Sequence, residues 1–392
     1  MAGLSLNTIK HIETAQHTPT QATLLRLLSV RELGLDANTL PWELTTQSDL
    51  GTAPNCWIAP GYDSIKMFTD LLDLLEGRGG TVEQTYSYLD HKSALNYYAL
   101  TNQSSYVTEF RSYMPLPTIG DRILELTGRA GLELIGLGAG DGKQEVLLAQ
   151  HLLNRTEQLQ RGRPTDLRLY LIDISQPLLN AAYKHAADTI GHRRGVYLCA
   201  VQGNFHHLPR YTQLHYAPQR SHRRRVILML GGTVCNLEDD HRFFHHSVVG
   251  FAPGDLLLVQ LQLGVASGNS PDEIRAKDPA LQTGLPSGYA EWLAGPIWRY
   301  CDRVTSVKFD LELDTRCAVP GSYSLDAVAT VSSQGRRDKR FMMMRFKRYD
   351  AQQFAAWLRP LGWELVAEAP FSGATSPTRH TLLLLQKLPD AP

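Results

Sequence analysis

Between residues 132 and 263 the chain alternates short apolar runs with longer amphipathic stretches. Leu132–Leu137, Leu167–Ile174, Val196–Val201, Val226–Leu230 and Asp255–Leu263 are dense in Leu, Ile and Val, with few polar interruptions. Runs of that length read as strands, and near-continuous apolar strands are those buried on both faces. The segments between them, 143–160, 176–187 and 238–248, read as helices. The alternation predicts a parallel sheet covered by helices, with ligands bound beyond the C-terminal strand ends.

Outside this stretch the pattern changes. Residues 1–115 read as helical and irregular, with apolar positions at helical spacing over 62–76, where Asp63 or Ser64 can cap and Gly77 stops the helix. An aromatic-rich polar stretch follows, with Tyr86, Tyr88, Tyr97, Tyr98, Tyr106 and Tyr113, closed by Pro115 and Pro117. After Leu263, residues 264–300 read as loop and helix, and 303–347 contain alternating runs that predict antiparallel strands. An amphipathic helix at 351–361, stopped by Gly362, precedes two strands near 363–369 and 381–386. The expected organisation is a helical part of a substrate lobe (1–115), a nucleotide-binding core (116–263), an inserted α+β lobe (264–347) and a helix and hairpin completing the core (348–392).

The chain has 392 residues, 43% hydrophobic and 20% charged, enough for a full core and about two domains. Its formal net charge is zero, so no global field draws it to nucleic acid or membrane. The basic run 220–225 reads as a solvated loop. Five cysteines, widely spaced and without a Cys-x-x-Cys pair, suggest neither a disulfide framework nor a metal site. The first residues lack a basic segment followed by an apolar one, and no apolar run approaches the ~18 residues of a membrane span. These features lead to the expectation of a cytoplasmic protein with a small-molecule substrate.

Four features stand at the ends of the expected strands. Gly136, Gly138, Gly140 and Gly142 form a turn between strand and helix, where the backbone can approach a ligand closely. Asp173 ends the second strand, 35 residues beyond Gly138, where a carboxylate can accept hydrogen bonds from ribose hydroxyls or cap the next helix. Gly203-Asn204-Phe205 follows the third strand; an amide can read an adenine edge and a phenyl ring can stack on it. The fourth is Gly231-Gly232-Thr-Val-Cys-Asn236. In order, they predict a nucleoside-type pocket. A dinucleotide site would place its acid ~20 residues on, after Gly-x-Gly-x-x-Gly. The later acid and alternating glycines instead look like a class I S-adenosylmethionine-dependent methyltransferase. That fold is α/β and Rossmann-like, with a seven-stranded, mostly parallel sheet and a reversed final strand, here joined by a second, substrate lobe.

Leu137-Gly-Ala-Gly-Asp-Gly-Lys-Gln-Glu145, Ile172-Asp-Ile-Ser175, Gly203-Asn-Phe205 and Leu230-Gly-Gly-Thr-Val-Cys-Asn-Leu-Glu238 resemble the histidine-specific methyltransferase family of the ergothioneine-pathway type. The resemblance implies S-adenosylmethionine as cofactor, held by Gly138, Gly140, Gly142, Asp173, Asn204, Phe205 and Gly232. It matches Asn236 to the asparagine that holds the substrate's amino-acid moiety, and Tyr106 to a substrate-site tyrosine. Tyr97 and Tyr98 are further candidates for the substrate site, against the alternative of packing within a helical lobe. The chain departs from the family in three places: Gly136 stands where an acid is usual, Asn204 where an Asp is usual, and Met343 and Arg345 where a Glu and a Ser grip an imidazole. Losing that carboxylate argues against histidine as substrate, and an arginine suits an anion; core packing is the alternative for Met342–Met344. The implied activity is methylation of a small amine or amino-acid derivative in specialised metabolism. The alternatives are non-methylating chemistry on an anionic intermediate, such as elimination or cyclisation, and a catalytically inactive binding partner.

Overall fold

The computed structural model describes residues 56–59, 62–103, 106–107, 111, 113–128, 130–160, 166–208, 223–248, 251–265, 270–372 and 379–389. The expectation of helix and irregular structure over 1–55 lies outside these residues.

Five parallel strands, β3 (Gly131–Leu137), β4 (Leu167–Asp173), β5 (Val196–Gln202), β6 (Arg223–Met229) and β7 (Leu256–Leu263), form the centre of the main sheet. The chain end adds β11 (Trp363–Ser372) and β12 (Arg379–Lys387), and β12 runs antiparallel to β7. The spatial order β5-β4-β3-β6-β7-β12-β11, with its reversed strand, is the Rossmann-like class I methyltransferase arrangement. An eighth strand not foreseen from the sequence, β1 (Cys56–Ile58), pairs parallel with β5 at the open edge. Its three residues are too few for any periodic signal.

Period-two alternation distributes each central strand between two buried layers. Ile135, Leu137, Tyr170 and Ile172 pack on one face, and Leu134, Leu169 and Leu171 on the other. Helices Lys143–Gln160 and Gln176–Ile190 cover the second face, where Gly142, at φ 70°, sits so close to Ala182 that a Cβ would come within 2.8 Å. The basic run corrects one expectation. Arg223, Arg224 and Arg225 begin β6 rather than a loop, and Arg225 is buried against Asp255 at 2.7 Å.

The second lobe has its own sheet, ordered β2-β10-β9-β8, from β2 (Gly79–Thr81), β8 (Val304–Asp314), β9 (Tyr323–Ser333) and β10 (Lys339–Arg348). Helix Ser64–Glu76, capped by Asp63, helix His91–Thr101 and helix Ser287–Tyr300 pack with it. Leu71, Leu75 and Tyr86 share one apolar cluster with Trp292, Phe341 and Met343, so segments far apart in sequence make a common core. Asp90 serves this packing. It caps helix His91–Thr101 and binds both Arg299 and Tyr300 at 2.8 Å.

A buried ion pair ties the second sheet to the short helix Asp240–Arg242 that follows β6. Lys347 of β10 lies 2.9 Å from Asp240, which also accepts the Tyr349 hydroxyl at 3.0 Å, and all three side chains are nearly inaccessible. Removing one partner strands the other charge away from water, a loss of about 3–5 kcal/mol. Asp240→Ala is therefore expected to lower the unfolding free energy by about that amount in chemical denaturation. A change below about 1 kcal/mol, the range of exposed pairs, would show that the pair is not a structural tie.

Candidate active site

The glycine turn is built by backbone geometry. Gly138, Gly140 and Gly142 have φ of 63°, 56° and 70°, the left-handed region that side chains disfavour. The Gly138 and Ala139 amides bond the Ile172 carbonyl at 2.9 and 3.1 Å, fastening the turn to the end of β4. A Cβ on Gly138 would sit 3.1 Å from Thr233 and 3.3 Å from Phe205, so three strand ends meet there without room for a side chain.

Asp173 ties this corner together. One carboxylate oxygen accepts the Gly140 amide at 2.8 Å and the other the Ser175 amide at 2.8 Å. The second bond fixes Ser175, the residue that precedes helix Gln176–Ile190. Burial pushes its pKa up to about 6, against the pull of the amides of Ser175, Gly140 and Ile174.

A cavity of about 500 Å³ opens beyond these strand ends. Gly138, Gly140, Asp173, Asn204, Phe205 and Asn236 all border it. Asn204 accepts the His206 amide at 3.0 Å, and its amide nitrogen lies 3.5 Å from Glu83. His206 also borders the cavity; burial lowers its pKa to about 4, so it is neutral. Gly142 lies behind the turn against Ala182 and supports it.

A second cavity of about 290 Å³ adjoins the first, and Tyr97, Tyr106, Gly231 and Asn236 border both. Gly232, at φ 84°, faces the second. Tyr88, not singled out in the sequence, hydrogen-bonds both Tyr97 and Asn236, and Tyr97 hydrogen-bonds Tyr106. Burial, then neighbouring ionisable groups, raise the pKa of Tyr88 and Tyr97 well above the ordinary tyrosine value. The junction is therefore lined by neutral hydroxyls and aromatic faces. Tyr97 packs edge-on to Tyr88, with centroids 5.1 Å apart, and tilts against Trp292 at 4.7 Å.

Besides Gly142, three expected site residues border neither cavity. Tyr98 points outward from its helix and is 38% exposed. Met343 is the extra residue of a bulge between Met342 and Met344 and packs in the core of the second lobe. Arg345 faces Asp326 at 3.4 Å and borders neither cavity. A bulge adds one residue and shifts which side chains face inward. Accordingly β10 offers Met344 to the first cavity, and Phe346 and Arg348 to the second. A one-residue bulge within a run of methionines leaves no periodic trace.

The donor set fits S-adenosylmethionine. A buried carboxylate with few donors suits a ribose diol, an amide beside a phenyl ring suits adenine, and a tyrosine-lined neck suits a sulfonium. Replacing the acceptor tests this: Asp173→Asn is expected to weaken S-adenosylhomocysteine binding about tenfold or more in calorimetry. Wild-type affinity is expected to fall as pH drops through about 6, where Asp173 takes up a proton, and to fall more steeply there than that of the variant. Equal affinities would remove Asp173 from the site.

Among solved structures, the chain resembles an S-adenosylmethionine-dependent methyltransferase from Clostridium acetobutylicum, at 12% identity over 70% of this chain and 91% of that chain (TM-score 0.36). It also resembles 1,6-didemethyltoxoflavin-N1-methyltransferase from Burkholderia thailandensis, at 8% identity over 76% and 89% (TM-score 0.38). A third is a sugar N-methyltransferase from Streptoalloteichus sp., at 11% identity over 75% and 93% (TM-score 0.36). No curated protein sequence matches it. The sequence profile of the histidine-specific, SAM-dependent methyltransferases matches residues 69–271, which span the first helices of the second lobe, the glycine turn, Asp173 and Asn236. The chain belongs to that family: it is a transferase that uses S-adenosylmethionine.

Proposed function

We propose that this methyltransferase acts on a small amine with an apolar or aromatic body, in specialised metabolism, and not on histidine. The observation that carries the reading is the lining of the second cavity. Among the described residues it is lined by no carboxylate; Tyr289, Trp292, Leu311, Leu325 and Phe346 make it apolar, and Arg348 is the one charged group among them. An imidazole would leave its N–H groups without a strong acceptor there, a loss of about 1–3 kcal/mol each. An apolar body gains roughly 25 cal/mol per Å² of surface removed from water.

The cofactor supplies an electrophilic methyl group on a sulfonium; the chain's own residues supply positioning. Asn236 and the hydroxyls of Tyr97 and Tyr106, at the neck, hold the acceptor nitrogen in line between the two cavities. As neutral groups these hydroxyls accept N–H bonds and orient the lone pair, and the ring faces stabilise the cation that develops on nitrogen. Arg348, buried, bonds Gln262 and faces the buried carboxylate of Asp278 at 3.7 Å, so an acceptor's carboxylate on the far side would share that guanidinium with Asp278. That same arginine supports a second reading, non-methylating chemistry on an anionic intermediate.

Purified protein incubated with S-adenosylmethionine and a panel of aromatic and aliphatic amines, amino acids and histidine separates these readings by mass spectrometry. Methylated product is expected from an aryl- or alkyl-bearing amine, with kcat/KM lowered about tenfold or more by Asn236→Ala. Histidine as the best acceptor would overturn the substrate assignment. Conversion of an anionic substrate with no methyl gain would favour the second reading.

A further inference from the structure

Gly136 and Glu145 occupy one place in the site. Gly136 closes β3 beneath the turn, and a Cβ built there would come within 2.9 Å of the Glu145 Cγ. The Glu145 side chain thus crosses the space that a side chain at 136 would fill. It is 3% exposed and borders the large cavity. Its own backbone amide hydrogen-bonds it. Arg111, a cation whose charge acts on it, is already paired with Asp141 at 2.9 Å. We propose that Glu145 supplies from the helix the carboxylate missing at position 136, and holds the ammonium group at the methionine end of the cofactor. The proposal rests on the assignment of this cavity to S-adenosylmethionine.

Charge supports it. Burial is the main cause that raises the pKa of Glu145 to about 8, and the neighbouring carboxylates of Asp141 and Asp173 act in the same direction, against the opposing pull of its own amide and of Arg111. A buried acid in that condition lacks a counter-charge, and a ligand ammonium provides one together with charge-assisted hydrogen bonds. The glycine at 136 then has a steric reason: an acid there and a glutamate at 145 would contend for the same volume. Glu145 also stands in the first turn of helix Lys143–Gln160, where a carboxylate favours the helix dipole. That role is purely structural and makes a different prediction.

The test compares two ligands by calorimetry. S-adenosylhomocysteine carries the ammonium; methylthioadenosine shares the nucleoside but lacks the amino-acid end. Glu145→Gln is expected to weaken the first about tenfold or more and to leave the second within about twofold. In the double variant Glu145→Ala with Gly136→Asp, the acid returns to the strand and S-adenosylhomocysteine affinity recovers to within about threefold of wild type. Thermal unfolding of the same proteins reports any helix effect separately. Equal change for both ligands, or none for either, would overturn the assignment of Glu145 while leaving the cofactor site intact. If wild-type protein binds neither ligand, the cofactor assignment itself fails, and this proposal with it.

Discussion

Asp173 is almost entirely removed from water, yet two backbone amides, those of Gly140 and Ser175, hold its carboxylate in place. This acceptor fixes the Gly140 amide of the glycine turn, and its other oxygen holds the Ser175 amide just ahead of the following helix. A pKa near 6 rather than the usual carboxylate value corresponds to a residual penalty of roughly 3 kcal/mol for the ionised form. Hydroxyl donors from a ligand relieve such a penalty. The corner is therefore shaped by the chain, and its carboxylate borders the cavity where the proposed ribose would lie.

The same logic divides the site by charge. Asp173 and Glu145, both with raised pKa values, border the large cavity, whereas the small cavity has aromatic walls and one arginine. Between them stand neutral tyrosines and Asn236. A ligand with a diol and an ammonium belongs on the acidic side, and one with an apolar body on the aromatic side. In the proposed reaction the methyl group would pass between them, through a neck lined by Tyr97, Tyr106 and Asn236. The second lobe contributes this neck through Tyr88, Tyr97 and Tyr106, and the Lys347–Asp240 pair holds its sheet against the core.

The core was legible because its strands are buried on both faces and stop at glycines. Leu132–Leu137, Leu167–Ile174 and Val196–Val201 each lie within a residue or two of β3, β4 and β5, and Asp173, Asn204 and Phe205 follow from being at strand ends. The acceptor side was harder to read for physical reasons. Tyr88 sits in a one-turn 3₁₀ segment with no amphipathic period, and only the fold brings it to Asn236. The bulge at Met343 exchanges Met343 and Arg345 for Met344, Phe346 and Arg348 without altering the composition of the run. Glu145 was passed over because an acid in a first helical turn has an ordinary explanation; only the Cβ that Gly136 lacks shows what its side chain replaces.

The central claim is that one acidic cavity at the ends of β3 to β6 holds the cofactor with its sulfur at the neck shared with the aromatic cavity. A crystal structure of the protein with S-adenosylhomocysteine tests it most directly. The account predicts the ribose hydroxyls on the Asp173 carboxylate, the adenine beside Asn204 and Phe205, and the thioether sulfur facing Asn236 and Tyr97. Ligand density outside that cavity, or a sulfur turned away from the neck, would contradict it.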